Sequence, residues 1–160
     1  MQKSLTIFPP CLVLSSYRCT HVFAPPSGGN VVKGDTATCV SFNPHYTGDG
    51  EGSIMLVGGR RDGFLHVWSP SEQPGRGGAA RGGVLLRAMH AHKGKVTTLA
   101  HHPNQHDMIC SFGDDCTVRV WSLQAGKCLQ SIDGLAGVLS MSCLPGTGHM
   151  LLSCISREQV

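Results

Sequence analysis

The 160-residue sequence lacks long hydrophobic runs and has few charged residues. None of its apolar runs approaches the roughly 20 residues that are needed to cross a lipid bilayer. Charged residues make up 14% of the chain, and the formal net charge is only +3. A weak net charge predicts no strong attraction to nucleic acid or to a membrane surface. We therefore expect no membrane association.

An unbroken apolar segment is also missing at the N-terminus. Lys3 precedes a short apolar stretch, but Pro9 and Pro10 interrupt it before residues 11–14 continue it. A secretory signal needs an uninterrupted apolar helix and a cleavage site of small residues. The sequence thus predicts an intracellular protein, and we expect it in the cytoplasm rather than in the nucleus.

The eight cysteines do not form a compact disulfide pattern. Several of them, such as Cys39, Cys110 and Cys143, lie inside apolar strand patterns. A free thiol in such a place behaves as a small hydrophobic side chain. We expect reduced, buried thiols, as is usual for intracellular proteins.

Residues 91–121 show the clearest pattern in the chain, which predicts three short strands separated by turns. Alternating or continuous apolar residues indicate the strands, and Pro, Asn, Gly and Asp indicate the turns. The strands are expected at 96–100, 108–111 and 117–121, and the turns at 103–105 and 113–115. Residues 127–132 add a fourth strand.

The same order of strands and turns occurs two more times. An earlier copy runs from Thr36 to Trp68, with strands at 37–42, 54–57 and 64–68, a turn at Gly58-Gly59 and 61–63, and a further strand at 84–89. A later copy is shifted by 42 residues, because Pro145 follows Pro103 and Ser153 follows Ser111 at that distance. A period of this length is typical of a repeat architecture.

These residues resemble the WD repeat, the unit that forms one four-stranded blade of a β-propeller. The resemblance covers residues 36–160 and implies an all-β fold, a partial WD-repeat propeller with four-stranded antiparallel blades. It assigns blades to residues 31–90 and 91–132 and an incomplete blade to 133–160. Residues 1–30 are a leader or the remnant of a preceding blade, and the strand expected at 19–23 fits either alternative.

The resemblance also implies a structural tetrad of hydrogen-bonded side chains in each complete blade. The second copy has all four members, His92, Ser111, Asp115 and Trp121. The other copies have partial sets, which are Asp62 and Trp68 in the first copy and Ser153 in the third. Gly58 takes the serine position of the first copy. Buried indole, imidazole and carboxylate groups are tolerated when they satisfy one another.

Two catalytic or metal-binding interpretations are less favoured. His92, Ser111 and Asp115 are the residue types of a hydrolase triad, but the sequence has no Gly-x-Ser-x-Gly motif. His102 and His106 have the spacing of a zinc-binding pair, but they flank a proline turn and lack a Cys-x-x-Cys partner. We therefore expect no catalytic residue, no metal and no cofactor.

The resemblance implies a non-catalytic scaffold for protein–protein interactions, with partners that the sequence does not identify. Because the third copy ends at Val160 before its Trp-bearing strand, we expect a piece of a larger propeller, completed by further blades in cis or by oligomerisation. The 42-residue period predicts an aromatic residue near position 163 of a longer chain.

The alternative is an RNA-binding protein, because the insert between Ser69 and Gly83 is rich in Gly and Arg. The basic residues that would contact either a protein partner or RNA are Arg60, Arg61, Arg76, Arg81, Lys93 and Lys95. An enzyme fused to the propeller would have its catalytic domain outside these 160 residues.

Overall fold

The computed structural model describes residues 11–15, 18–23, 36–46, 53–54, 56–70 and 81–155. All regular elements in these ranges are strands, and none of the described segments is a helix that could cross a membrane. The twelve strands are β1 (Cys11–Ser15), β2 (Arg18–Phe23), β3 (Ala37–Phe42), β4 (Leu56–Arg60), β5 (Phe64–Pro70), β6 (Arg81–His90), β7 (Val96–His101), β8 (Met108–Gly113), β9 (Val118–Ser122), β10 (Lys127–Ile132), β11 (Val138–Cys143) and β12 (Met150–Cys154).

The strands form three sheets, which we call the first, second and third blade. The first blade has the strand order β1-β2-β6-β5-β4-β3, the second has β10-β9-β8-β7, and the third consists of β11 and β12. Neighbouring strands are antiparallel except β2 and β6, which pair in parallel. The all-β fold and the antiparallel blades of the sequence prediction are confirmed.

The second blade shows how its sequence produces a strand meander. In β9, Val118 is fully buried, and Trp121 is 5% exposed. The β8–β9 turn contains Cys116 with a φ of 59°, and the β9–β10 turn contains Gly126 with a φ of 65°. Such left-handed backbone conformations close short turns between strands and cost least at glycine. The outer strand β10 is exposed along its whole length.

Gly58 and Gly59 lie inside β4, so the prediction that they form a turn is wrong. Gly58 pairs with His66 and Gly59 pairs with Leu65, both in β5. A Cβ atom at Gly59 would lie 2.6 Å from Cys39 Sγ and 2.7 Å from a Val96 methyl carbon. The glycine is therefore needed because the second blade packs closely against β4, and no turn requires it.

Strand β6 of the first blade is longer than the strand expected at residues 84–89. It begins at Arg81, and Pro70 at the end of β5 pairs with Gly83. Part of the predicted Gly- and Arg-rich loop is thus a paired strand. Its middle, residues 71–80, lies outside the described residues.

The hairpin of β1 and β2 extends the first blade. His21 and Val22 of β2 pair with Arg81 and Gly82 of β6. The expected strand at 19–23 is thus present as β2 and pairs with the first blade's sheet. The hairpin pairs with backbone groups of β6 on the side that does not face β5, because an edge strand can accept an added strand.

The hydrophobic core lies between the blades. One cluster joins the first and second blades, and a second cluster joins the second and third. Full burial of one such aliphatic side chain contributes about 1.5–3 kcal/mol. The first cluster contains Val57, Leu65, Val67, Met89, Val96, Leu99, Ile109 and Trp121, and the second contains Ala100, Cys110, Phe112, Val118, Val138 and Met141.

The cysteines whose side chains are described are all free thiols, but Cys128 and Cys154 are exposed, so the expectation of burial is wrong for these two. Cys110 is buried in the second cluster, and Cys143 packs against it from the third blade. Burial raises the pKa of the Cys110 thiol to about 12. A thiol with this pKa is protonated at neutral pH and acts here as core packing.

Candidate functional site

Four side chains of the second blade form one chain of hydrogen bonds. Trp121 Nε1–H donates to Ser111 Oγ over 2.9 Å. Ser111 Oγ lies 2.8 Å from His92 Nε2, and His92 Nδ1 lies 2.8 Å from Asp115 Oδ1. The structure thus brings together the four residues that the resemblance to WD repeats nominated.

The pKa values of the two titratable members indicate which atoms carry protons. Burial lowers the pKa of His92, although the hydrogen bond that His92 donates to Asp115 opposes this change. Burial would raise the pKa of Asp115, but hydrogen bonds from the Lys93 backbone, His92 and Thr117 lower it to about 2. A neutral His92 donates from Nδ1 to the Asp115 carboxylate and accepts at Nε2 from the Ser111 hydroxyl.

The Ser111 hydroxyl is in no position to act as a nucleophile. Its side chain is fully buried, and its oxygen accepts the indole N–H of Trp121. A catalytic serine needs an exposed hydroxyl next to a base and donors for an oxyanion. Ser111, His92 and Asp115 therefore have the composition of a hydrolase triad and the geometry of a buried structural network.

The network also fixes the backbone of the neighbouring connections. Asp115 Oδ2 accepts the Lys93 backbone N–H at 3.1 Å. Asp114 N–H donates to the Lys95 carbonyl at 2.9 Å, and Arg119 donates to the Ala91 carbonyl at 2.7 Å. These bonds hold the β6–β7 connection against the β8–β9 turn.

A third connection joins the same surface from the first blade. The Gly63 carbonyl accepts the backbone N–H groups of Ala91 and His92 at 2.9 and 3.0 Å. Gly63 has a φ of 87°, and a Cβ atom there would lie 2.0 Å from the His92 carbonyl oxygen. We call the surface formed by the three connections, residues 61–63, 91–95 and 114–117, the turn face.

The first blade has a different polar network, which sequence reasoning did not foresee. Arg60 occupies the strand position that Gly113 holds in the second blade, since Gly59 pairs with Leu65 as Phe112 pairs with Val118. The Arg60 guanidinium binds both carboxylate oxygens of Asp62, at 3.1 and 2.7 Å, and lies 3.0 Å from His66 Nε2. The ring of His66 contacts that of Trp68 edge to face.

Arg60 was predicted as a contact for a protein partner or RNA, and the structure places its side chain in this network. Its side chain is 11% exposed and forms an ion pair with Asp62. In the second blade a Cβ atom at Gly113 would lie 2.5 Å from the His92 ring, so a side chain and a tetrad histidine exclude each other there. The sequence signal for this difference is the residue at that position, which is Arg60 in the first copy and Gly113 in the second.

The other predicted contact residues and Ser153 differ in their positions. Arg61, Lys93 and Lys95 are exposed on the turn face. Ser153 is exposed and pairs through its backbone with Ser140 of β11. Arg76 lies outside the described residues, and so does the side chain of Arg81, whose backbone begins β6.

A cleft of about 340 Å³ opens on the turn face and on the end of β3. Its walls come from both blades, and they combine two basic side chains, one acidic side chain and two threonines. Lys95 and Asp114 are joined through their backbones, and the Arg61 N–H donates to the Thr36 carbonyl at 3.0 Å. The lining residues are Thr36, Thr38, Arg61, Lys95 and Asp114.

His101, His102 and His106 lie in different environments. His101 is buried, and its Nδ1 lies 2.8 Å from Ser41 Oγ. His102 Nδ1 accepts the Asn104 backbone N–H, and His106 contacts the ring of His45. In the part of the chain that the structure describes, no three His, Cys, Asp or Glu side chains converge as metal ligands would.

Comparison with known proteins identifies the repeat. Residues 83–122 match the family model described as "WD domain, G-beta repeat". The chain is 30% identical over 73 residues to the GATOR2 complex protein WDR24 of Dictyostelium discoideum, covering 46% of this chain and 7% of that protein. It is 34% identical over 92 residues to a p21-activated protein kinase-interacting protein 1-like of Danio rerio, covering 58% of this chain and 20% of that protein.

The fold is similar to a solved β-propeller. The β-propeller domain of Cps50 (Swd1) from Myceliophteria thermophila superposes with a TM-score of 0.53 at 23% identity, over 74% of this chain and 32% of that chain. A third relative, a CCR4-associated factor 4 homolog of Candida glabrata, is 35% identical over 79 residues, covering 49% of this chain and 13% of that protein. The matched stretches thus span no more than about a fifth of the curated relatives named here.

Proposed function

We propose that this chain, which carries a WD repeat and has the fold of part of a β-propeller, is a non-catalytic scaffold that binds protein partners through its turn face. Two of the relatives are described as a complex protein and as a kinase-interacting protein, which supports a role in protein binding. One fold serves many functions, so the proposal depends on the surface.

The observation that carries the proposal is the fixed backbone of the turn face. The buried tetrad and the bonds from Ala91, His92 and Asp114 hold its three connections together. Exposed Arg61, Lys93 and Lys95 project from this fixed backbone. A preorganised loop surface loses less conformational entropy on binding than a mobile one, which favours its use in recognition.

We further propose that the chain is part of a larger propeller. Alternation along β3 directs Cys39 toward the second blade, while Val40 and Phe42 are 54% and 49% exposed on the other side. On the third blade, Leu151 and Ile155 are 58% and 56% exposed. Exposed apolar blade faces favour coverage by further blades, in cis or from another copy.

The cytoplasm remains the proposed location.

Affinity capture with single charge reversals on the turn face tests the scaffold function. The tagged chain would be incubated with cell extract with and without nuclease, and the bound proteins would be quantified by mass spectrometry. Lys95→Glu and Arg61→Glu are expected to reduce the bound set. Lys127→Glu, on exposed β10, is the matched control and is expected to retain it.

The same experiment separates protein binding from RNA binding. Protein capture that survives nuclease and depends on Lys95 supports the scaffold. Capture that disappears with nuclease, and with deletion of residues 75–83, would replace it by the RNA-binding alternative. Equal capture by Lys95→Glu and Lys127→Glu would exclude the turn face as the binding surface.

A further inference from the structure

We propose that the cleft lined by Thr36, Thr38, Arg61, Lys95 and Asp114 binds an acidic side chain of a protein segment, with a basic or amide group of the same segment beside Asp114. The inference rests on the scaffold function proposed above and names the chemistry of the partner. The cleft volume of about 340 Å³ is at the lower end of ligand-pocket volumes, which suits a few side chains rather than a folded domain.

The two basic groups of the cleft are available to a ligand. In the described residues, no ion pair or side-chain hydrogen bond engages the guanidinium of Arg61 or the ammonium of Lys95. The neighbouring cations are already used, because Arg60 binds Asp62 and Arg119 binds the Ala91 carbonyl. Arg and Lys donors from two sides favour a carboxylate between them.

The backbone around these groups is held in place before any ligand binds. Arg61 N–H donates to the Thr36 carbonyl, and Asp114 N–H donates to the Lys95 carbonyl. Thr38 Oγ1 lies within hydrogen-bond distance of the carbonyl oxygens of Gly59 and Val96 and shares its one proton between them, so its hydroxyl is occupied and joins the two blades. The two cations thus extend from a fixed frame, which reduces the entropy cost of binding.

Asp114 makes the cleft selective for a segment of mixed charge. It is exposed and forms no ion pair among the described residues. With Arg61 and Lys95 it gives the lining a formal charge of +1. A peptide that carries an acidic residue near a Lys, Arg, Asn or Gln would satisfy all three groups, since opposite charges then meet on both sides.

The lining favours a peptide over RNA. Single-stranded nucleic acid is bound by stacking of bases on aromatic or guanidinium planes along a basic groove. The five lining residues include no aromatic side chain. The Asp114 carboxylate would repel a run of phosphates that entered the cleft.

Selection from a random dodecapeptide display library tests the proposal on the whole 160-residue chain. Peptides selected on the unmodified chain are expected to be enriched in Asp or Glu, with a basic or amide residue nearby. Lys95→Glu or Arg61→Glu should remove the acidic enrichment, and Asp114→Lys should remove the basic or amide preference. Lys127→Glu is the control that should preserve both.

Fluorescence polarisation would then compare one enriched peptide with its Glu→Gln counterpart and with a labelled 20-nucleotide polyuridine. Loss of the carboxylate or of Lys95 should weaken peptide binding about three- to fivefold, the size expected of an exposed ion pair. Circular dichroism would check that each variant is folded. Arg61→Gln and Lys95→Gln would replace any charge reversal that fails this check.

Selected peptides without acidic enrichment, or enrichment that survives both charge reversals, would overturn the proposal. Tighter binding of polyuridine than of the peptide, lost in Lys95→Glu, would assign the cleft to nucleic acid instead. The scaffold function would survive either result if nuclease-resistant protein capture still depended on the turn face.

Discussion

Trp121 contributes both an aromatic surface and a hydrogen-bond donor to the second blade. Its side chain is 5% exposed, and its Nε1–H donates to the fully buried Ser111 hydroxyl. Trp121→Ala should lower the free energy of unfolding by about 3–5 kcal/mol. Trp121→Phe keeps most of the apolar surface but removes the donor, so about 1–2 kcal/mol is expected. Urea denaturation of the two variants measures both values, and a Trp121→Phe variant as stable as the unmodified chain would deny the hydrogen bond a separate role.

His101 should make stability depend on pH. Burial lowers its pKa from 6.5 to about 4, and nearby His45 adds to the effect. Between these pH values the unfolded chain binds a proton that the folded chain does not, so stability falls as pH falls from 6.5 to 4. The full stabilisation is present above pH 6.5. A shift of this size corresponds to roughly 3 kcal/mol.

Urea denaturation at several pH values tests this dependence. His101→Asn should flatten the slope between pH 6.5 and 4, although it also changes the bond to Ser41. His106→Asn is the control, because His106 is exposed. The buried His92, whose pKa is also lowered, should leave a residual slope in the same direction. An unchanged slope in His101→Asn would show that His101 is not the responsible group.

At the level of the element, β4 contains two adjacent glycines, of which one has open space beside it and the other is tightly packed. A Cβ atom at Gly58 would meet nothing within 4 Å, whereas one at Gly59 would overlap Cys39 and Val96. Gly59→Ala should therefore destabilise the chain by about 1–3 kcal/mol through overpacking. Gly58→Ala should be neutral or stabilise it by up to about 1 kcal/mol, because alanine loses less backbone entropy in a strand. Thermal denaturation compares them, and similar effects at both sites would contradict the close approach of the two blades.

The different networks of the first and second blades show that one blade shape is compatible with two sets of polar contacts. His92 enters the second blade where Gly113 leaves room, and Arg60 fills the corresponding position in the first. Each network gives a buried or half-buried polar group a partner, which a blade interior requires. The Asp of the β-turn, Asp62 or Asp115, accepts the bonds in both cases.

For the whole molecule, the apolar end faces predict self-association of the isolated chain. At micromolar concentration, sedimentation velocity should detect species heavier than the 17.0 kDa monomer. Leu151→Lys and Val40→Lys should shift the population toward the monomer, because a charge on the contact surface opposes blade packing. Leu129→Lys is the matched control, since Leu129 is 57% exposed on the outer strand β10, away from the end faces. A monomer in every variant would mean that these faces do not mediate association.

The sequence by itself determined the strands, the repeat and the candidate tetrad. Alternating apolar residues and Pro, Gly and Asp turns are local signals, and the 42-residue period repeats them. For the same reason β7, β8 and β9 begin and end within one or two residues of their expected limits. The family resemblance, not the pattern alone, nominated His92, Ser111, Asp115 and Trp121, which the structure joins by hydrogen bonds.

Only the tertiary structure decided which distant residues share space. Gly59 looked like a turn residue because it follows another glycine and precedes the turn predicted at 61–63, but its role depends on Val96 in another blade. Arg60 looked exposed because it is charged, but Asp62 and His66 bind it within the blade. The cleft combines Thr36, Arg61, Lys95 and Asp114 from four separate segments. Such proximity follows from the packing of whole sheets, which local sequence patterns do not encode.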